Sequence, residues 1–197
     1  MGYIVRLGII LMIVGCISAG GLALLNTQTA PVIAEYKRME QERARLEVMP
    51  EAELGVFVLK DSSSSLPYYE AYADSEATEL VGYVFTAMGN GYSSVVETVV
   101  GVNLDWVING IKVTSQQETP GLGTKSVEIR YGEDDPWFQR QFKGKPARQV
   151  MVDKDGGEIV SITGATITSR TISDAIRRNA NIIQEKIPAT TVTEETP

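Results

Sequence analysis

The run LVGYVFTAMGNGYSSVVETVVGVNLDWVINGIKVT, residues 80–114, decides the fold. Within it, residues 80–86, 94–102 and 107–114 are short stretches rich in β-branched and aromatic side chains, punctuated by Gly and Asn. With a further run at residues 54–60 (LGVFVLK), they predict an antiparallel sheet joined by tight turns, and Asn109-Gly110 reads as a hairpin signal.

Downstream, residues 169–187 place Ile172, Ile176, Ile183 and Ile187 on one helical face, with Arg177, Arg178 and Lys186 in the half that suits cations. This predicts an amphipathic helix packed on the sheet. Upstream, residues 7–25 (LGIILMIVGCISAGGLALL) carry no charge, and about 20 helical residues span a bilayer of roughly 30 Å. The stretch is long for the apolar core of a signal peptide and no small-x-small cleavage site follows, so it reads as a transmembrane anchor in contact with the lipid bilayer. Residues 30–50 interleave Glu with Lys and Arg at helical spacing, as a stalk would. The organisation expected is therefore an anchor at 1–28, a helical stalk at 29–52, one domain at 53–187 and a polar, acidic, disordered tail at 188–197. The fold class is α+β: a single N-terminal transmembrane helix, a stalk, and a domain with a mostly antiparallel sheet and packed helices.

Orientation is left open by charge. Arg6 lies on the short side of the span, whereas Lys37, Arg38, Arg43 and Arg45 follow it among several glutamates, and a Lys/Arg count alone would place the domain inside.

Composition narrows the chemistry. The 197 residues carry a net charge of −7, with basic residues scattered among carboxylates, which excludes nucleic acid as a partner. There is no histidine and one cysteine, Cys16, so the chain cannot build a zinc site, an iron–sulfur cluster or a disulfide from its own side chains, and no metal site is expected. Ser-His-Asp and Cys-His catalysis are excluded too. Redox chemistry would need an organic cofactor.

The segment with chemical potential is SITGATITS, residues 161–169, a hydroxyl-rich turn of small residues placed before the last helix. A helix start offers unpaired N–H groups, Gly164 and Ala165 admit a bulky ligand, and Thr166, Thr168 and Ser169 can donate hydrogen bonds, which together suit a phosphate. Equally, Thr168 or Thr171 could be an ordinary N-cap, with Asp174 behind Thr171.

Residues 163–168, Thr-Gly-Ala-Thr-Ile-Thr, resemble the Thr-Gly-Ala-Thr-x-Thr flavinylation motif of the FMN-binding domain. That domain occurs in the G subunit of Rnf electron-transport complexes and in the C subunit of sodium-pumping NADH:quinone reductases. Residues 118–123, Glu-Thr-Pro-Gly-Leu-Gly, resemble the loop beside the flavin in the same family, although alone they would read as a Pro-Gly type II turn with an exposed Glu. Further similar pieces are residues 82–84, 89–92, 136–138 and 142–145, so the resemblance covers most of the domain and the anchor. Where the family commonly has aspartate three residues before the motif, Val160 stands, leaving Glu158 or Asp155 to substitute.

The resemblance implies covalent FMN, attached through a phosphate ester to Thr168 by a magnesium-dependent flavin transferase that uses FAD, with Thr166 as runner-up acceptor. It implies that Thr163, Gly164 and Ala165 complete the cofactor site, and that Glu118, Thr119, Leu122 and Gly123 lie against the isoalloxazine or ribityl chain. It implies an electron-carrying subunit, not catalytic alone, that passes single electrons among the other subunits of a membrane complex. That complex couples ferredoxin and NAD to sodium or proton translocation, with the flavin domain outside the cytoplasmic membrane. Little room for the longer insertion of the quinone-reductase relative favours the Rnf type. The competing readings are a membrane-tethered, non-redox scaffold, a free-standing FMN-domain reductase that passes electrons to a small soluble acceptor, and the equivalent component of the quinone reductase.

Overall fold

The computed structural model describes residues 2–62 and 66–187. The tail at 188–197 lies outside the described residues. The chain divides into two compact units, Met1–Glu40 and Gln41–Pro197. Helix α1, Gly2–Val48, supplies the whole described part of the first unit and is, among the described residues, the one helix long and apolar enough to cross a membrane. Its last eight residues belong to the second unit.

In the second unit five strands form one sheet in the order β1-β2-β3-β4-β5, every neighbouring pair antiparallel. They are β1 Val56–Lys60, β2 Tyr68–Tyr72, β3 Leu80–Asn90, β4 Val95–Asn103 and β5 Ile108–Ser115. The antiparallel sheet expected from residues 80–114 is present, with β3 running longer than its apolar stretch. Strand β2, Tyr-Tyr-Glu-Ala-Tyr, has no counterpart in the sequence reading.

Asn109-Gly110 is not a turn. Both residues lie inside β5, where Gly110 pairs with Gly101. The β4–β5 reversal occurs one step earlier because the Asn103 side chain builds it: its Oδ1 accepts from the N–H of Asp105 at 3.0 Å and of Val107 at 2.9 Å. Trp106, at φ 62°, completes the turn and stacks on Tyr83 at 5.6 Å, so an aromatic ring rather than a glycine occupies the left-handed position.

Each face of the sheet has its own apolar cover. On one, Ala44 and Val48 of α1, with Met49 and Ala52, meet Ala71, Val84 and Val99. On the other, helix α3, Thr166–Lys186, sets Ile172, Ile176, Ala180 and Ile183 against Phe85, Ala87, Val96 and Val100, joined by Phe138 of the short helix α2, Trp137–Arg140, and by Phe142. Helix α3 opens three residues before its predicted start.

This helix also closes an open sheet edge. Strand β2 pairs with β3 only as far as Phe85, so beyond it β3 has no strand neighbour on that side among the described residues. Alternate carbonyls there accept from α3 side chains: Thr86 O from Asn179 at 3.3 Å, Met88 O from Arg178 at 3.2 Å and Asn90 O from Thr171 at 2.8 Å. The two-residue period of a strand edge thus meets three donors of the helix, and three carbonyls open to pairing with another chain are satisfied within the domain.

Ile176, at 0% exposure, sits where α3 presses on the sheet. Ile176→Ala should lower stability by about 3 kcal/mol in chemical denaturation of the detergent-solubilised chain, since truncating a buried aliphatic leaves a cavity. A loss below about 1 kcal/mol would show that α3 is not an integral part of the core.

Candidate functional site

Three segments far apart in sequence meet at the start of α3. The β3–β4 turn is closed by the Gly91 N–H donating to Ser94 O at 2.8 Å. That closure leaves the amides of Tyr92, Ser93 and Ser94 aimed at one carboxylate, Glu118, at 3.1, 3.0 and 3.0 Å. The Ser94 hydroxyl adds a bond at 3.1 Å, and the Thr168 hydroxyl donates to Glu118 Oε2 at 2.6 Å. Glu118 is 4% exposed and Thr168 1%. A buried carboxylate is tolerated because its oxygens are filled with donors.

Two glycines make room for it. A Cβ on Gly91 would stand 2.5 Å from Glu118 Oε1, and one on Gly123 would stand 2.5 Å from Glu118 Cβ. The Pro-Gly turn expected at residues 119–122 is present, with the Leu122 N–H donating to Thr119 O at 3.1 Å. The exposed Glu expected with such a turn is instead the buried centre of the site.

Burial pushes the Glu118 carboxyl up, but the bonds from Thr168 and the amides of Ser93, Tyr92 and Ser94 outweigh it and hold the group below the usual carboxylate range. The ionised form is therefore the stable one near neutral pH.

Neither Thr168 nor Thr171 caps α3. The N-cap is Ala165, without a side-chain bond, and the first turn holds no acidic residue. The first bond from this turn runs from the Ser169 N–H to Ala165 O, so the amides of Thr166, Ile167 and Thr168 have no partner within the helix. Thr171 spends its hydroxyl on Asn90 O. Ser169, expected as an anion donor, is used internally: its hydroxyl accepts from Ile162 N at 2.9 Å and donates to Ala165 O at 3.0 Å, clamping the loop onto the helix.

A cleft of about 690 Å³ opens on this helix end, lined by Glu118, Thr119, Leu122, Gly123, Gly164, Ala165, Thr166 and Thr168, together with Tyr92 and Ile167. Its size lies within the roughly 300–1,000 Å³ of small-molecule sites. Thr163, expected with the others, is not in the lining. Tyr92 and Ile167 were not singled out as site residues, although Tyr92 lies in one of the family-like pieces and Ile167 fills the variable place of the motif. At 72% and 49% exposure, with Leu122 at 41%, they offer an apolar rim to a flat ring. The free amides at the helix start suit a phosphate. The donors present fit FMN.

The residues considered as substitutes for an aspartate at Val160 are both engaged elsewhere. Asp155 takes a two-pronged bond from Arg170 at 2.6 and 2.7 Å, and Glu158 pairs with Lys145. Neither lines the cleft. Among the described residues no cluster of His, Cys, Asp and Glu could hold a metal ion.

The family model of the FMN-binding domain matches residues 91–181, which include every segment of this site. The chain is 32% identical to the G subunit of the Na(+)-translocating ferredoxin:NAD(+) oxidoreductase complex of Acetobacterium woodii, over 91% of this chain and 91% of that protein. It is 32% identical to the G subunit of the ion-translocating oxidoreductase complex of Shewanella amazonensis, over 89% of this chain and 86% of that protein. A solved structure, the C subunit of the Na(+)-translocating NADH-quinone reductase from Parabacteroides distasonis, is 25% identical, with a TM-score of 0.45 over 59% of this chain and 61% of that one.

Because Glu118 is ionised and fully bonded only in the folded chain, its contribution to stability should be complete above the usual glutamate pKa, about 4.3, and lost as pH falls through the lower folded value. At pH 7, Glu118→Gln should cost about 2 kcal/mol in chemical denaturation, because an amide nitrogen then faces N–H donors. The gap from the wild type should close towards acid pH; a gap independent of pH would remove the charged network.

Proposed function

Since the chain belongs to the family of G subunits of ion-translocating oxidoreductase complexes, we propose that it carries FMN esterified to Thr168 and relays single electrons within such a complex, between ferredoxin and NAD. The observation that supports this best is the meeting of the two motifs: the Thr168 hydroxyl is fixed on Glu118 inside the cleft that both motifs line. A scaffold module would need neither a buried, oriented threonine hydroxyl nor an uncapped helix start opening on a cleft.

In this reading the amides of Thr166, Ile167 and Thr168, with the Thr166 hydroxyl, hold the phosphate, where the helix end favours negative charge. Thr119 and Gly123 border the ribityl chain, and Tyr92, Leu122 and Ile167 give the ring apolar contact while leaving one side open to another member of the complex. The flavin supplies the one-electron chemistry; the chain supplies placement and electrostatics. A covalent tether keeps an exposed cofactor from being lost to solvent. Maturation requires a flavin transferase. The N-terminal part of α1, long and apolar enough to cross a membrane, anchors the chain in the bacterial cytoplasmic membrane, and the outer face for the flavin domain rests on the family resemblance alone.

Mass spectrometry of the membrane-purified chain tests this. Tryptic digestion should yield the peptide containing Thr168 with the added mass of FMN, and Thr168→Ala should lack it while folding normally. An unmodified peptide from cells that express an active flavin transferase would refute the acceptor assignment.

A further inference from the structure

The esterification of Thr168 proposed above demands that one hydroxyl among several be chosen and that its proton go somewhere, and the same buried carboxylate meets both demands. We propose that Glu118 selects Thr168 as the flavin acceptor and takes up its hydroxyl proton as the ester forms. The inference rests on the reading of Thr168 as the acceptor.

Selection follows from the contacts. The motif offers hydroxyls at Thr163, Thr166, Thr168 and Ser169. Ser169 is committed to its own loop, and among the described residues only Thr168 of the three threonines donates to a carboxylate. Thr163 is exposed and Thr166 half-buried. The bond at 2.6 Å has the length of a charge-assisted one and holds the hydroxyl on the carboxylate. With its proton directed at Glu118, Oγ1 keeps both lone pairs for the cleft.

Glu118 is built to hold that geometry. Its Oε1 takes the amides of Ser93 and Ser94 and the Ser94 hydroxyl, while Oε2 takes the Tyr92 amide and Thr168. Gly91 and Gly123 give the carboxylate its room, since a Cβ on either would collide with Glu118. Such a site is costly merely to terminate a turn, since an exposed residue after Gln117 would do so without burying a charge.

The step balances without oxidation. Thr168 Oγ1 bonds to the flavin-side phosphorus of a flavin dinucleotide; the pyrophosphate P–O bond breaks, and the nucleoside monophosphate leaves with the bonding electrons. The Oγ1 proton passes to Glu118 Oε2 and from there to solvent or the departing phosphate. A carboxylate already hydrogen-bonded to the hydroxyl is within reach of its proton and can take it as the Oγ1–P bond forms. The low proton affinity that its donors give Glu118 keeps it ready in the anionic form.

The test is the initial rate of flavin attachment to the full chain in detergent, with purified flavin transferase, flavin dinucleotide and Mg²⁺, read as adduct on the Thr168 peptide by mass spectrometry. Glu118→Gln should be slower than wild type by at least about 100-fold, the lower range for a lost general base, or should carry its adduct on Thr166 instead. The ratio of wild-type to variant rates should shrink as pH falls and Glu118 becomes protonated; because the stability gap closes over the same range, rates are compared only at pH values where denaturation shows both chains fully folded. Where denaturation shows Glu118→Gln unfolded, Glu118→Asp decides: it keeps the charge on the amides of residues 92–94 but draws it back by a methylene, and at least tenfold slower attachment is expected. A folded variant labelled on Thr168 at the wild-type rate overturns the assignment to Glu118 alone. A wild-type chain that takes no flavin overturns the acceptor reading and this one with it.

Discussion

A carboxylate removed from water must be filled with donors, and the domain is arranged around one that is. Glu118 draws a turn from residues 91–94, a loop from residues 116–123 and the first turn of α3 to a single point. None of the three could shift alone without stranding a buried charge, a penalty of several kcal/mol. The cleft between them is thus rigid because of an interaction at its base rather than because of its walls. The same constraint fixes which way the Thr168 hydroxyl faces.

Negative charge is unusually well managed around this point. The chain carries a net charge of −7, yet the carboxylates near the motif are paired away from it, Asp155 with Arg170 and Glu158 with Lys145, while Asp153 bonds Ser161. What remains at the helix start is a set of amides without helical partners beside one fully bonded carboxylate. An incoming phosphate therefore meets oriented dipoles rather than a field of free acidic groups.

The sheet was legible wherever strands were built from Val, Ile and aromatic residues with Gly or Asn between them, as in β3, β4 and β5. Strand β2 escaped because Tyr-Tyr-Glu-Ala-Tyr buries only Tyr68 and Ala71 and lacks the β-branched signature. Asn109-Gly110 misled because dipeptide turn preference is local, whereas the Asn103 side chain and the stacked Trp106 set the reversal from outside the dipeptide. The early start of α3 was hidden by an N-cap, Ala165, with no capping side chain to announce it. The two motifs were visible as residues, but not the bond between Glu118 and Thr168, fifty positions apart. Nor could spacing disclose the amides of Tyr92, Ser93 and Ser94, since a backbone N–H leaves no mark in a sequence.

The direct measurement is a ³¹P NMR spectrum of the full chain, purified from cells that express a flavin transferase and then denatured so that non-covalent ligands are washed away. A single phosphodiester resonance, retained by the unfolded chain, resistant to phosphomonoesterase and absent from Thr168→Ala, is the expected result. A spectrum without protein-bound phosphorus, or a phosphodiester that persists in Thr168→Ala, would contradict the placement of the flavin on the hydroxyl that Glu118 holds.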